Sequence, residues 1–312
     1  MPKSGARRCI GPISAVSICT RRFAPINSGI GVLAAAEQDG GQGPQLGLRL
    51  ASAVVFVPGI LFLVEWNDWS LLVLSLGVVG RGSWEFYRLV AAAGHRPARH
   101  LGTALALGLC LYIFQFGAHR LDLVLSGAAL ACLLAALRNG TANYLANALT
   151  GLGGVVYIGL LGSAPLLLVR AAGPAQRTEA GHLLALVFVC IWLADSAAYA
   201  AGHLWGRKKL APSISPGKTV VGGLAGMVGG LVPLFLHQLV PQLSVWQWVG
   251  LLVLAAAGGQ LGDLVESALK RDAGVKDSPP LIPGHGGILD RFDSYFFAFP
   301  LVYLYVVALD LL

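Results

Sequence analysis

Nine apolar runs, most of them close to membrane-spanning length, leave this chain few ways to fold. They lie near residues 50–64, 69–92, 101–117, 121–137, 150–169, 182–204, 219–239, 247–268 and 293–312. About 20 mostly apolar residues in a helix cross the ~30 Å hydrocarbon core of a bilayer. A barrel wall would instead need short runs of alternating polarity, which these runs lack. Helices also satisfy their own backbone hydrogen bonds, as lipid requires. The expected fold is an all-α polytopic integral membrane protein with about nine transmembrane helices.

Composition supports this. Only 12% of the 312 residues are charged and 56% are hydrophobic, whereas soluble domains carry about 25% charged residues. So little charge excludes a soluble enzyme, a disordered chain and a nucleic-acid-binding module. The net charge of +7 is then a matter of topology. Counting Lys and Arg outside the runs puts 17 on the side of the N-terminus and the even-numbered loops. Only Arg120, Arg170 and Arg177 fall on the other side. By the positive-inside rule this places the N-terminus in the cytoplasm. The five cysteines form no CxxC pair, and no disulfide framework or zinc site is indicated.

Residues 1–45 read as a flexible N-terminal extension or as the product of a start codon placed too early. Basic Met1–Arg8 followed by apolar residues faintly resembles a signal peptide, but Pro12 and Arg21 interrupt it. Residues 46–312 form the transmembrane domain.

Unusual chemistry concentrates in two even-numbered, hence cytoplasmic, regions. In residues 262–294, Asp263, Glu266, Ser267 and Lys270 fall at i, i+3, i+4 and i+7 on one helical face. An internal salt bridge to Lys270 would explain part of this. The polar stripe, however, continues into a loop containing Arg271, Lys276, His285, Asp290, Arg291 and Asp293. Hard cations such as Mg2+ take one or two carboxylates plus substrate phosphates, and Asp263 and Asp290 are placed to share one. The Pro283–Gly287 stretch is either an anion-approaching turn or an ordinary tight loop. In residues 194–223, Asp195, Ser196, Tyr199, Gly202 and His203 line one side of the sixth run. Ser215, Lys218 and Thr219 then open the seventh. A helix N-terminus with a lysine and hydroxyls is an anion site, or alternatively a capped basic interface loop. Walker spacing is absent. The glycines at 222, 223, 226, 229 and 230 are explained by close helix packing.

The run Ser267-Ala-Leu-Lys270-Arg271, Lys276-Asp277, His285-Gly286-Gly287 and Asp290-Arg291-Phe292-Asp293 resembles the signature of the phosphatidate cytidylyltransferase (CDP-diacylglycerol synthase) family. Ser215-Pro216-x-Lys218-Thr219 and Asp195-Ser196-x-x-Tyr199 are also similar to that family, with Ser196 standing where threonine is common. The resemblance implies a multi-pass enzyme of the bacterial inner membrane with its active site at the cytoplasmic face. It would convert CTP and phosphatidic acid to CDP-diacylglycerol and pyrophosphate. It further implies Mg2+ on Asp263 and Asp290, with Ser267, Lys270 and Asp293 as further catalytic residues. Candidate phosphate-binding residues are Ser215, Lys218, Thr219, Arg271, Lys276, His285 and Arg291. K+ as a second cation and a homodimer are additional expectations of the resemblance.

The residue chemistry agrees. A phosphate monoester has a second pKa of about 6, so the attacking group is already ionised and needs no general base. The difficulty is bringing an anion against a triphosphate, which calls for cations and positioning. Two rivals remain. One is an enzyme using CTP on another lipid, and the other is a transporter with ion-coupling acids near the midplane. The acids here cluster instead at cytoplasmic helix ends.

Overall fold

In the computed structural model, which describes residues 56–275 and 287–311, every apolar run is predominantly helical where it is described. The helices are α1 (Phe56–Trp66), α2 (Asp68–Ala92), α3 (Arg99–Phe116), α4 (Leu121–Ala136), α5 (Tyr144–Gly154) and α6 (Ala164–Ala172). They continue as α7 (Arg177–Trp205), α8 (Val220–Gly229), α9 (Val245–Asp272), α10 (Leu289–Phe292) and α11 (Tyr295–Ala308). Among the described residues, three helical stretches are long and apolar enough to cross a membrane: Pro174–Trp205, Val220–Leu239 and Val245–Asp272. A fourth candidate is the pair Tyr144–Leu160 and Ala164–Ala172, which bends by 46°. These are the helices of a membrane protein, and Phe235, 87% exposed, shows the apolar exterior expected where lipid is the solvent.

Local sequence explains the helix boundaries. Asn67 and Ser70 cap the start of α2 reciprocally, and Ser244 and Gln247 do the same for α9. The bend before α6 follows a π-helical stretch, Val155–Leu160, where the 3.6-residue ladder is interrupted. The Ser163 hydroxyl donates to the Gly159 carbonyl at 2.6 Å there, and Pro165 stands in the first turn of α6. The core runs between α7, α9 and α11, with Trp248, Phe296, Phe299 and Ile191 almost fully buried.

One element departs from the expected all-helical chain. Residues read as a loop opening the seventh run form an antiparallel hairpin of β1 (Lys209–Ala211) and β2 (Ser215–Thr219), pairing Lys209 with Thr219 and Ala211 with Ser215. A two-stranded sheet consists only of edges, so Pro216 is tolerated within it. The segment is too short and too polar to announce itself by alternation.

The hairpin is held where α7 and α8 nearly touch. A Cβ at Gly222 would lie 2.7 Å from the Ala198 carbonyl oxygen, and one at Gly226 3.0 Å from that of Ala194. The glycines of the seventh run therefore serve close packing. Gly262 does the same on α9, where a Cβ would collide with the Asp293 carbonyl. This contact brings the acidic face of α9 against the entrance to α11.

Candidate active site

Two lysines and three carboxylates from three elements form the centre of the site. From β2, Lys218 Nζ lies 2.7 Å from Asp263 Oδ2 on α9 and donates to the Gln260 carbonyl at 3.4 Å. Two turns further along α9, Lys270 Nζ lies 2.5 Å from Glu266 Oε2 and 3.1 Å from Asp290 Oδ1 on α10. Ser267 Oγ donates to Asp263 Oδ1 at 3.4 Å. The i, i+3, i+4, i+7 stripe thus becomes one wall of the site, and Lys218 and Asp290 close it from either side.

Negative charge exceeds positive charge in this cluster. Asp195, Asp263 and Asp293 lie near enough to repel one another. Asp293 is buried, and its Oδ1 accepts from the Ser294 N–H at 2.6 Å. Glu266 is 1% exposed, and its Oε1 has no hydrogen-bond partner among the described residues. A buried carboxylate oxygen without a donor is costly. Among the described residues, no three His, Cys, Asp or Glu side chains form a ready-made metal site. An Mg2+-type ion needs only one or two carboxylates when phosphates complete its shell. The hard oxygen donors of Asp263 and Asp290, beside an unsatisfied Glu266 oxygen, fit that requirement.

The remaining expected residues take varied places. Thr219 is buried, and its hydroxyl accepts from the Gly222 N–H at 3.1 Å, so it caps α8. Ser215 pairs with Ala211 in the hairpin. Arg271 donates to the Ile214 carbonyl at 3.3 Å and the Val275 carbonyl at 3.4 Å, tying the hairpin turn to the end of α9. Arg291 is exposed beside Asp290. Lys276 and His285 lie outside the described residues. On α7, Ser196 donates to its own helix at Trp192, while Tyr199 is 78% exposed and stacks on His203.

Sequence reasoning missed Glu85 of α2. It is fully buried, and its carboxylate accepts from Arg81 Nε at 2.9 Å, the Ile288 N–H at 3.2 Å and the Leu289 N–H at 2.8 Å. Glu85 thereby holds the backbone immediately before Asp290, more than 200 residues away in sequence. An Arg-x-x-x-Glu pair inside an apolar run was the available signal. Such intramembrane charges mark function by default.

The chain matches the model of the cytidylyltransferase family over residues 47–309. It belongs to the cytidylyltransferase family. It is 37% identical over 286 residues to a phosphatidate cytidylyltransferase of Synechocystis sp., covering 84% of this chain and 96% of that protein. It is 45% identical over 133 residues to the phosphatidate cytidylyltransferase of Staphylococcus aureus strain COL, and 44% identical over 135 residues to that of Staphylococcus haemolyticus. Those alignments cover 42% and 43% of this chain, and the chain spans about half the length of the staphylococcal relatives.

Proposed function

We propose that this chain transfers the cytidylyl group of CTP to phosphatidic acid, giving CDP-diacylglycerol and pyrophosphate. The observation that carries the reading is the lysine–carboxylate cluster of Lys218, Asp263, Glu266, Lys270 and Asp290 in a chain of the cytidylyltransferase family. The phosphate monoester oxygen attacks the α-phosphorus of CTP. An oxygen–phosphorus bond forms, the α–β bridge breaks, and the electron pair leaves on pyrophosphate. Lys218 and Lys270 each use two partners here, and an ammonium has three donors. Each retains one N–H for a phosphate oxygen. Arg271 and Arg291, with Lys276 and His285 of the loop, supply further positive charge for CTP. Ser215 lies on the hairpin whose turn Arg271 contacts, and Thr219 fixes that hairpin to α8.

Asp263 and Asp290 would hold a divalent cation of Mg2+ type, with Ser267 and Asp293 beside them. Such an ion polarises the α-phosphoryl group and the leaving pyrophosphate. K+ as a second cation and a homodimer belong to the same reading. So do nine crossings, a cytoplasmic N-terminus and a site at the cytoplasmic face of the bacterial inner membrane, where CTP arrives from water and acyl chains stay in lipid. Cysteine labelling at position 209 from the cytoplasmic side only is the expected result, and labelling from the periplasm would overturn the orientation.

The purified protein is expected to convert labelled CTP and phosphatidic acid to CDP-diacylglycerol only with a divalent cation. Lack of product across several acyl chains and metals would refute the proposal. Turnover of an ether lipid or diacylglycerol in preference to phosphatidic acid would reassign the acceptor.

A further inference from the structure

A second charged feature lies outside the lysine–carboxylate cluster. The end of α2 and the start of α3 enclose a cavity of about 260 Å3 lined by Trp84, Arg88, Arg99, His100, Thr103 and Leu107, among others. None of these residues contributes to the proposed chemistry. The volume lies just below the ~300–1,000 Å3 of drug-sized pockets, which suits a headgroup and is small for a nucleoside triphosphate.

Among the described residues, the cavity is basic and uncompensated. Arg88 and Arg99 are exposed, and neither pairs with a carboxylate among the described residues. Glu85, the acid nearest Arg88 in sequence, is committed to Arg81 and to the backbone before Asp290. Arg99 Nε donates to His100 Nε2 at 3.2 Å, which leaves the rest of its guanidinium fork available. The Arg88 guanidinium stands 4.6 Å from the Trp84 ring centre, and that of Arg81 stands 4.2 Å from the same ring. Trp84 therefore orients Arg88 without neutralising it.

Polarity changes along the helix. Arg99 and His100 lie in the first turn of α3, Thr103 one turn below, and Leu107 one turn below that. Basic residues at the two helix ends, with Trp84, Tyr87 and Leu107 further along the helices, suit an amphiphile better than a free anion. Both helix ends flank the loop containing Arg96, on the basic side of the chain's charge asymmetry. Basic pockets between helices on that face are where anionic headgroups bind. We infer that this cavity binds the phosphate headgroup of an anionic phospholipid, at a site separate from the lysine–carboxylate cluster.

The test uses the full-length, delipidated protein in detergent and native mass spectrometry with phosphatidylglycerol and phosphatidylcholine of identical chains. Phosphatidylglycerol is not the proposed acceptor, so its retention is read without reference to turnover. Wild-type protein is expected to retain it about 10-fold better than phosphatidylcholine. The double variant Arg88→Gln/Arg99→Gln is expected to lose that preference while melting at the wild-type temperature. Should that pair fail to fold, Ala104, which also lines the cavity, offers a second variant: Ala104→Phe fills the cavity without altering a charge and is expected to give the same loss. Equal retention of both lipids by wild type, or a preference unchanged in a folded variant, would overturn the inference. Displacement of phosphatidylglycerol by millimolar inorganic phosphate would identify a free-anion site and would also overturn it.

Discussion

The two ends of α7 carry opposite kinds of ion-pair cluster. At its first residue, Arg177 joins Arg170 around a single carboxylate, Asp68, at 2.5 and 3.4 Å. Both arginines are also fastened to backbone, Arg177 to the Val64 carbonyl at 3.0 Å and Arg170 to that of Phe114 at 2.5 Å. Roughly 43 Å away by helical rise, the other end reaches the hairpin, where Lys218 and Lys270 face Asp263, Glu266 and Asp290. The first cluster has surplus cation tied to carbonyls, and it joins α2, α6 and α7. The second has surplus carboxylate; among the described residues each cluster keeps one unpartnered buried atom, Arg177 Nη1 in the first and Glu266 Oε1 in the second. An acid-rich cluster with spare lysine donors can accept both a cation and a polyphosphate. An arginine-rich cluster bound to carbonyls is a structural joint.

The comparison fails if the two clusters respond alike to mutation. Asp290→Asn and Asp263→Asn are each expected to lower turnover by about 1,000-fold, while Asp68→Asn stays within about twofold in a radiolabelled CTP assay. Lys270→Met strands the buried Glu266 beside Asp290 and should cost about 3–5 kcal/mol. Arg177→Met faces a carboxylate that is one-third exposed and should cost about 1 kcal/mol. Equal losses in detergent melting would erase that contrast. Gly222→Ala pushes a methyl against the α7 backbone and is expected to cost about 1–3 kcal/mol, with turnover falling as the hairpin shifts. An unchanged melting temperature would show that α7 and α8 can separate freely. Glu85→Gln weakens the hold on the Ile288 and Leu289 N–H groups and should lower kcat about 10-fold with little change in KM for CTP. An effect on KM alone would make Glu85 a binding residue rather than a positioning one.

Much of this was legible in the sequence. The apolar runs announced the helices because hydrocarbon demands length and self-satisfied backbone. The stripe from Asp263 to Lys270 announced a polar face because helical periodicity is local. The partner choices were not legible. Lys270 was expected as the partner of either Asp263 or Glu266; it takes Glu266, while Asp263 goes to Lys218 of the hairpin. Thr219 looked like part of an anion site, and its hydroxyl caps α8. Arg170 and Arg177 counted only as exceptions to the charge asymmetry until Asp68 was seen between them.

By itself, the sequence determined a predominantly helical membrane protein and the places where its few charges gather. Both follow from short-range constraints of hydropathy, helical period and charge scarcity. Tertiary structure alone decided which acid meets which base. Gly222, Gly226 and Gly262 let backbones approach until β2, α9 and α10 share one cluster, and Glu85 reaches across from α2 to fix the last of them. Such pairings depend on distances between segments as far as 204 residues apart, which no local pattern encodes.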